Sequence, residues 1–516
     1  MQLLASYVEG AWFQGKGKAS QLVNPATEEV LAETSTEGLD FAKALAFARD
    51  KGGPALRALS FAGRSELLRA MSRVIHKNRD ALLDLAMANG GNTRSDAKFD
   101  IDGASGTLAF YADLGKELGD RRFLVEGEPA QLSRGPRYVG HHVLLPRRGV
   151  ALHVNAFNFP AWGLGEKAAC ALLAGMPIVV KPATATALVT FRIVELFVEA
   201  NILPPGALSL ISGAPGNMTE QLTGEDVLSF TGGGSTATTL RGQTPVVRDS
   251  VRVNIEADSL NAAILGPDAE IGSDTYGTFI RDVTRDITQK TGQKCTAIRR
   301  IFVPTQHLEQ VEADISERLA DVVVGNPTTE GVTMGPLATA TQLRDIRAGL
   351  ERLAAESKRV VGDGKVAPRG VPDGKGYFVP PTLFVQHEPN KSGLAVHEHE
   401  VFGPASTLMP YDSNESVVAL CRRGGGGLVS SLYADDRKAI REIALGIASA
   451  HGRVAITSAK IADQTPGPGT VLPQSIHGGP GRAGGGEELG GLRGLAFYSQ
   501  RTAIQGDRAI LDAILA

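Results

Sequence analysis

The chain has 516 residues, 42% hydrophobic and 21% charged, ordinary proportions for a globular protein long enough to hold more than one core. Its net charge of -3 provides no basic field to gather nucleic acid or an anionic membrane, and no uninterrupted apolar run approaches the roughly 18–20 residues that cross a bilayer. Cys170, Cys295 and Cys421 lie far apart, outside any CxxC or Cys/His zinc spacing, and the N-terminus lacks a basic stretch followed by an apolar one. The expectation is therefore a cytoplasmic protein without a disulfide framework or signal peptide.

Residues 1–30 read as short extended pieces broken by turns at Tyr7-Val8-Glu9-Gly10 and Asn24-Pro25-Ala26-Thr27. Over 65–87, Leu67, Leu68, Met71, Val74 and Ile75 recur at three-to-four-residue spacing and Leu82, Leu83 and Leu85 continue the stripe, which predicts one core-facing helical stretch. From 148 to 265 short apolar runs (150–154, 178–181, 208–211, 227–230, 251–255 and 262–265) alternate with helical stretches at 163–174 and 187–200. Such alternation argues for βαβ units on a parallel sheet, which binds ligands at the carboxyl ends of its strands. A second alternation runs from 276 to 472, with helices at 308–323, 338–357 and 436–449 and strands at 300–303 and 407–411. The Gly/Pro-rich tail 464–491 holds Arg482, Glu487, Glu488 and Leu489, which favour a shaped loop over a linker, and a last helix is predicted at 507–515.

Cys295 lies in Gly292-Gln293-Lys294-Cys295-Thr296-Ala297, with Lys294 beside it. A neighbouring cation lowers a thiol pKa and raises its thiolate fraction, so Cys295 is a candidate nucleophile; a buried inert cysteine is the commoner case for such a residue met alone. Asn158, before Phe159-Pro160, fits a turn residue as well as an amide donor, and Glu256 fits a strand-end surface carboxylate as well as a general base. Two literal motifs are set aside. Gly479-Pro-Gly481-Arg-Ala-Gly484 satisfies GxGxxG but follows no convincing strand, and His397-Glu398-His399-Glu400 has no further ligand at sensible spacing, so no metal site is expected.

The segment Gly292-Gln-Lys-Cys-Thr-Ala297, followed by Arg300 and Val303, closely resembles the nucleophile segment of the aldehyde dehydrogenase superfamily. Further resemblances run in the right order along most of the chain: Asn155-Ala-Phe-Asn-Phe-Pro160, Lys181-Pro-Ala183, Phe230-Thr-Gly232 with Ser235-Thr236, Glu400-Val-Phe-Gly-Pro404 and Gly486-Glu-Glu-Leu-Gly490. The resemblance implies an α/β fold in three parts: a Rossmann-like cofactor domain (1–122 and 148–257), an α/β catalytic domain (258–474) and a small β bridging element that serves oligomerisation (123–147 with 475–516). It also implies roles. Cys295 attacks the aldehyde, Asn158 and the Cys295 backbone N–H face the oxyanion, and Glu256 activates the water that releases the acid. A raised Glu256 pKa in a partly apolar tunnel would suit that base. Lys167 and Glu488 match a proton relay. Phe157, Lys181, Ala183, Thr184, Gly213, Gly216, Phe230, Gly232, Ser235, Glu400 and Phe402 match the cofactor contacts. Thr184 stands where NAD-preferring members carry a glutamate that would repel a 2′-phosphate, so NADP is expected, with NAD as the lesser cofactor. Two departures stand out: Glu256-Ala-Asp-Ser-Leu260 replaces Glu-Leu-Gly-Gly-Lys, and Gly232-Gly233-Gly234 lengthens the phosphate loop.

The tail His477-Gly-Gly-Pro-Gly-Arg-Ala-Gly-Gly-Gly-Glu-Glu-Leu-Gly-Gly491 looks like that of the dehydrogenase half of bacterial ring-opening fusion enzymes acting on CoA-linked aromatic breakdown products. Too few residues follow it for the fusions' hydratase domain, so a stand-alone enzyme is expected. Its substrate would be a CoA-linked semialdehyde such as 3,4-dehydroadipyl-CoA semialdehyde, and its state a homodimer. Two other readings are a CoA-acylating dehydrogenase, which needs no water-activating Glu256, and a catalytically silent binding protein on the same fold.

Overall fold

The computed structural model describes residues 2–363 and 366–515. Two seven-stranded sheets organise it. In the first, Arg252–Glu256, Val227–Thr231, Ala151–Val154, Ile178–Lys181 and Leu208–Leu210 lie parallel in that spatial order, and Ser6–Val8 then Ala11–Phe13 extend the edge antiparallel. In the second, Thr382–Val385, Ala405–Tyr411, Arg300–Pro304, Ala262–Leu265, Gly427–Tyr433 and His451–Thr457 run parallel, with Lys358–Val361 antiparallel at one edge. The apolar run at 262–265 therefore leaves the first alternation and becomes a central strand of the second sheet. All four of its residues are buried, as a strand covered on both faces requires.

The named strand and helix positions agree with the observed elements to within a few residues, but several elements have no counterpart in the sequence reading, among them the helix Asp274–Thr288 and the second-sheet strands Thr382–Val385, Gly427–Tyr433 and His451–Thr457, and two further differences are instructive. The stripe over 65–87 is carried by two helices, Phe61–Lys77 and Arg79–Gly90, because Asn78 leaves helical geometry (φ -103°, ψ 17°) and turns the chain. A 25-residue helix, Arg94–Leu118, has no counterpart in the sequence reading. Its Gly103, Gly106 and Gly115 and its aspartates lower helix propensity, and tertiary packing overrides that cost. Small residues there let the helix press against Phe61–Lys77 and Pro160–Ala174, where Leu68, Met71, Ile101, Leu108, Leu164, Leu172 and Leu173 share one core. Each such leucine contributes about 2 kcal/mol by burial.

Pro160–Ala174 is buried at every position and carries Glu166 and Lys167 beneath the first sheet's strand ends. Pro160 suits its first turn because an amide there would have no intrahelical acceptor. Asp100, from the long helix, accepts from the Trp162 and Ala161 amides at 2.7 and 3.3 Å, which fixes where this helix begins. A separate antiparallel sheet joins Leu124–Gln131, Tyr138–Pro146 and Ser499–Asp507.

Candidate active site

Cys295 follows a turn in which Lys290, Thr291 and Gly292 all have left-handed backbone (φ 52°, 55° and 66°). That geometry costs about 1–2 kcal/mol for each non-glycine residue, so the surroundings must impose it. The Thr291 hydroxyl donates to Gly335 O at 2.9 Å, and the Ala338 amide donates to Gln293 Oε1 at 3.1 Å. The Arg299 guanidinium donates to the Gly292, Lys294 and Gly403 carbonyls. At Gly292 only glycine fits, because a Cβ would lie 2.1 Å from Gly403 O. Asn261 Nδ2 then donates to the Cys295 carbonyl at 2.8 Å, and Asn158 Nδ2 donates to Gln293 O at 3.0 Å.

The Cys295 side chain is partly exposed at a recess of about 30 Å³ lined by Phe99, Phe159, Trp162, Thr296 and Val471, space for a water-sized group against apolar walls. Its sulfur, the His477 imidazole nitrogen and a Glu256 carboxylate oxygen lie within 4.8 Å of one another. His477 Nε2 is 3.8 Å from the sulfur and 3.1 Å from Glu256 Oε2. Glu256 ends the strand Arg252–Glu256, and Cys295 belongs to the loop leading into the second sheet.

The electrostatics correct two expectations. Lys294 does not activate the thiol: its ammonium is buried and donates to Asp286 Oδ1 at 2.6 Å and Gln289 Oε1 at 2.8 Å. Burial, followed by the charge of Glu256, pushes the Cys295 thiol well above its ordinary value. Glu256 moves opposite to the expected direction. Burial alone would raise its pKa, but His477, Lys167 and the Cys295 thiol hold the carboxyl down to about 2.

Lys167 is buried and meets three partners: Glu166 Oε1 at 2.7 Å, Thr231 Oγ1 at 2.9 Å and Glu488 Oε2 at 3.0 Å. Burial would strip its proton, but Glu166, Glu488 and Glu256 hold the ammonium charged. Burial drives Glu166 itself well above the carboxylate range, despite Lys167.

Most of the cofactor candidates lie at or just beyond the carboxyl ends of the first sheet's strands, whereas Glu400 and Phe402 come from the loop before Ala405–Tyr411 of the second sheet. Lys181 closes Ile178–Lys181; it makes no ion pair among the described residues, and burial lowers its pKa. Ala183 and Thr184 follow directly, half-buried, Thr184 opening a short 3-10 turn. The Phe157 and Phe402 rings meet edge-on at 5.9 Å, beside Glu400, which accepts from the Ser259 amide at 2.9 Å and pairs with Arg299 at 3.4 Å. Burial raises the Glu400 carboxyl to about 7. The glycine loops also have packing reasons to be glycine. A Cβ at Gly213 would lie 3.1 Å from Thr36, one at Gly216 2.3 Å from the Phe41 ring, and one at Gly232 2.5 Å from the Phe230 ring. Phe230 itself lies in the core with Leu228 and Ile255. Ser235 is exposed in the first turn of Gly234–Arg241, whose leading amide, Gly234 N, already donates to Asp258 Oδ1 at 2.9 Å.

Residues 12–504 match the family model described as Aldehyde dehydrogenase family. The chain belongs to the aldehyde dehydrogenase family. It is 44% identical over 481 residues to 3,4-dehydroadipyl-CoA semialdehyde dehydrogenase of Aromatoleum evansii, covering 92% of this chain and 93% of that one. Glutarate-semialdehyde dehydrogenase of Pseudomonas putida is 27% identical, covering 89% and 90%. Among solved structures, a lactaldehyde dehydrogenase superposes with TM-score 0.86 at 22% identity over 98% and 99% of the two chains. Betaine aldehyde dehydrogenase of Staphylococcus aureus in complex with NAD+ gives 0.84 at 23% identity over 98% and 97%. This chain is accordingly an aldehyde dehydrogenase with the α/β fold of that family.

In this aldehyde dehydrogenase the fold brings to the centre two residues to which the sequence patterns assign no role. Glu166 shares Lys167, and His477 sits between Cys295 and Glu256. The signal for His477 was its place at the head of the glycine-rich tail. There Ile476–Gly479 pairs antiparallel with Gly486–Leu489, His477 opposite Glu488. Glycine is required because this hairpin runs in close backbone contact: a Cβ at Gly478 would lie 1.9 Å from Gly486 O, and one at Gly484 2.3 Å from Ile255 O. The literal GxGxxG at 479–484 is thus the bend of a hairpin laid against the strand that ends in Glu256. His397, set aside as a ligand, is buried between Arg300 and the Pro389 carbonyl.

Proposed function

We propose that the enzyme oxidises a CoA-linked semialdehyde, such as 3,4-dehydroadipyl-CoA semialdehyde, to its free acid with NADP+, using Cys295 as nucleophile and Glu256 as water-activating base. The observation that carries the chemistry is the cluster of the Cys295 sulfur, the Glu256 carboxylate and the His477 imidazole within 4.8 Å. The observation behind the substrate is the 44% identity, over almost the whole chain, to an enzyme named for that semialdehyde.

The Cys295 thiolate forms the S–C bond to the aldehyde carbon, and the carbonyl electron pair becomes an oxyanion. Asn158, on the loop facing Gln293, and the Cys295 amide are the donors for it, each such donor being worth about 3–4 kcal/mol in the transition state. A bound nicotinamide would supply the hydride acceptor for that carbon, with Phe157, Phe402 and Glu400 the residues that would hold it. A thioester then remains on Cys295. Glu256 takes a proton from water as its oxygen attacks the thioester, the S–C bond breaks and the acid leaves. Lys167, whose ammonium pairs with Glu166 and Glu488, gives a proton to the Glu488 carboxylate as it receives one from Glu256, so its charge is unchanged. Assays of CoA-linked semialdehydes against free linear aldehydes test the substrate. Higher kcat/KM on the CoA-linked compounds is expected; equal or better kcat/KM on the free ones overturns it, and acyl-CoA in place of free acid as product would mark an acylating enzyme.

Lys181, a half-buried cation with no carboxylate partner among the described residues, fits an anionic nucleotide group, and Phe157, Phe402 and Glu400 fit the nicotinamide end. Thr184 presents a hydroxyl to a 2′-phosphate. A Thr184→Glu substitution is expected to lower kcat/KM for NADP+ at least tenfold relative to NAD+, since one like-charge contact costs several kcal/mol. An unchanged NADP+/NAD+ ratio in steady-state assays rejects the assignment. A diphosphate at the start of Gly234–Arg241 has to displace the Asp258 carboxylate from Gly234 N.

In this reading the cofactor and catalytic domains divide near residue 257. The protein is a homodimer through the sheet of 124–146 and 499–507, which the exposed Tyr138, Ile510 and Ile514 on and beside that sheet support. Its compartment is the cytoplasm, in keeping with three unpaired cysteines, and no helix of the described residues is long and apolar enough to cross a membrane.

A further inference from the structure

We propose that His477 is the positioning residue of this site, the side chain whose Nε2–H fixes the Glu256 carboxylate beside Cys295. The inference rests on the proposed role of Glu256 and goes beyond it, since hydrolysis as written above needs no histidine.

The geometry assigns the hydrogen bond. His477 Nε2 stands 3.1 Å from Glu256 Oε2, a hydrogen-bond distance, whereas its 3.8 Å to the Cys295 sulfur is a weaker contact. An anionic carboxylate accepts only, so the nitrogen facing it carries the proton. The ring cannot readily turn away. Its Trp162 neighbour packs edge-on with centroids 5.3 Å apart, and the His477 side chain is 1% exposed. The hairpin that holds the ring rests on the Glu256 strand itself, through Ala257 N to Ala483 O at 3.0 Å and Glu487 N to Asn254 Oδ1 at 2.8 Å.

Charge explains why such a residue is needed. Glu256 is buried near the Glu166 carboxyl on Pro160–Ala174 and near the Cys295 thiol. Lys167 offers one positive charge to this group and already meets Glu166 and Glu488. Without a second donor, burial and like charge would favour the protonated, useless form of the base. His477 supplies that donor through Nε2, while its Nδ1 is buried without a hydrogen-bond partner among the described residues.

The test compares the wild-type enzyme with His477→Phe, which removes the donor, His477→Gln, which keeps a neutral one, and Glu256→Gln, by following kcat against pH from 5 to 9 with thermal denaturation as the folding control. In His477→Phe an acid inflection is expected near neutral pH that wild type lacks, with a burst of one NADPH per site because thioester hydrolysis has become limiting. His477→Gln is expected to move the inflection part-way back. A merely structural role would lower the melting temperature or the fraction of active sites without creating that inflection. A His477→Phe enzyme with wild-type pH dependence and no burst, alongside an inactive Glu256→Gln, overturns the inference alone. Undiminished turnover by Glu256→Gln overturns the inference together with the reading on which it rests. Should His477→Phe fail to fold, His477→Gln decides: an inflection supports the inference and its absence overturns it.

Discussion

Cys295→Ala is expected to lower NAD(P)H formation at least about a thousandfold while leaving the fold and cofactor binding intact, because the sulfur is the sole atom proposed to bond the substrate. The site predicts how that loss reads in detail. Cys295 is only partly exposed, and its loop is fixed by Thr291, Gln293, Arg299 and Asn261 rather than by the thiol. Deleting the sulfur therefore removes reactivity and little stability. Steady-state turnover and dinucleotide titration on the same preparation check this, and undiminished turnover would sink the mechanism. The raised thiol pKa adds a sign. The thiolate fraction rises with pH across the neutral range, so wild-type kcat/KM is expected to climb toward alkaline pH instead of levelling off below 7.

Glu256→Gln is expected to lower kcat by about 100- to 10,000-fold, the usual contribution of a positioned general base. Hydride transfer precedes the step that needs Glu256. Rapid mixing should therefore show a burst of about one NAD(P)H per site followed by a nearly arrested phase. Absence of the burst would place Glu256 before hydride transfer. Since the folded carboxyl titrates near 2, Glu256 itself puts no acid limb on wild-type kcat above about pH 4; protonation would remove the base only as the pH fell through its folded value.

The reaction class was legible in the chain because chemistry of this kind needs residue types that leave marks: a cysteine between small polar residues, a carboxylate at a strand end, an asparagine before Phe-Pro. The strands were legible where every residue is apolar, as in Ile178–Lys181 up to its terminal lysine, because burial on both faces of a parallel sheet demands it. Other features were not. Arg94–Leu118 hid behind glycines and aspartates whose worth appears only against Trp162, Leu173 and the Pro160–Ala174 amides. The directions of charge were hidden as well. Lys294 adjoins Cys295 in sequence yet serves Asp286, and Glu256 is held ionised by residues distant along the chain.

The sequence by itself carried the family, through motifs in order along the chain, and many of the sheet-forming runs, through local composition, and the resemblance singled out Cys295 and Glu256 as the expected catalytic pair. Tertiary structure alone decided that His477 stands between them and that Glu166, Lys167 and Glu488 form one buried charge cluster. The physical reason is that burial and Coulomb interactions depend on distances in space, and residues 166, 256, 295 and 477 come within reach of one another only once the glycine-rich hairpin lies against the strand end of the first sheet.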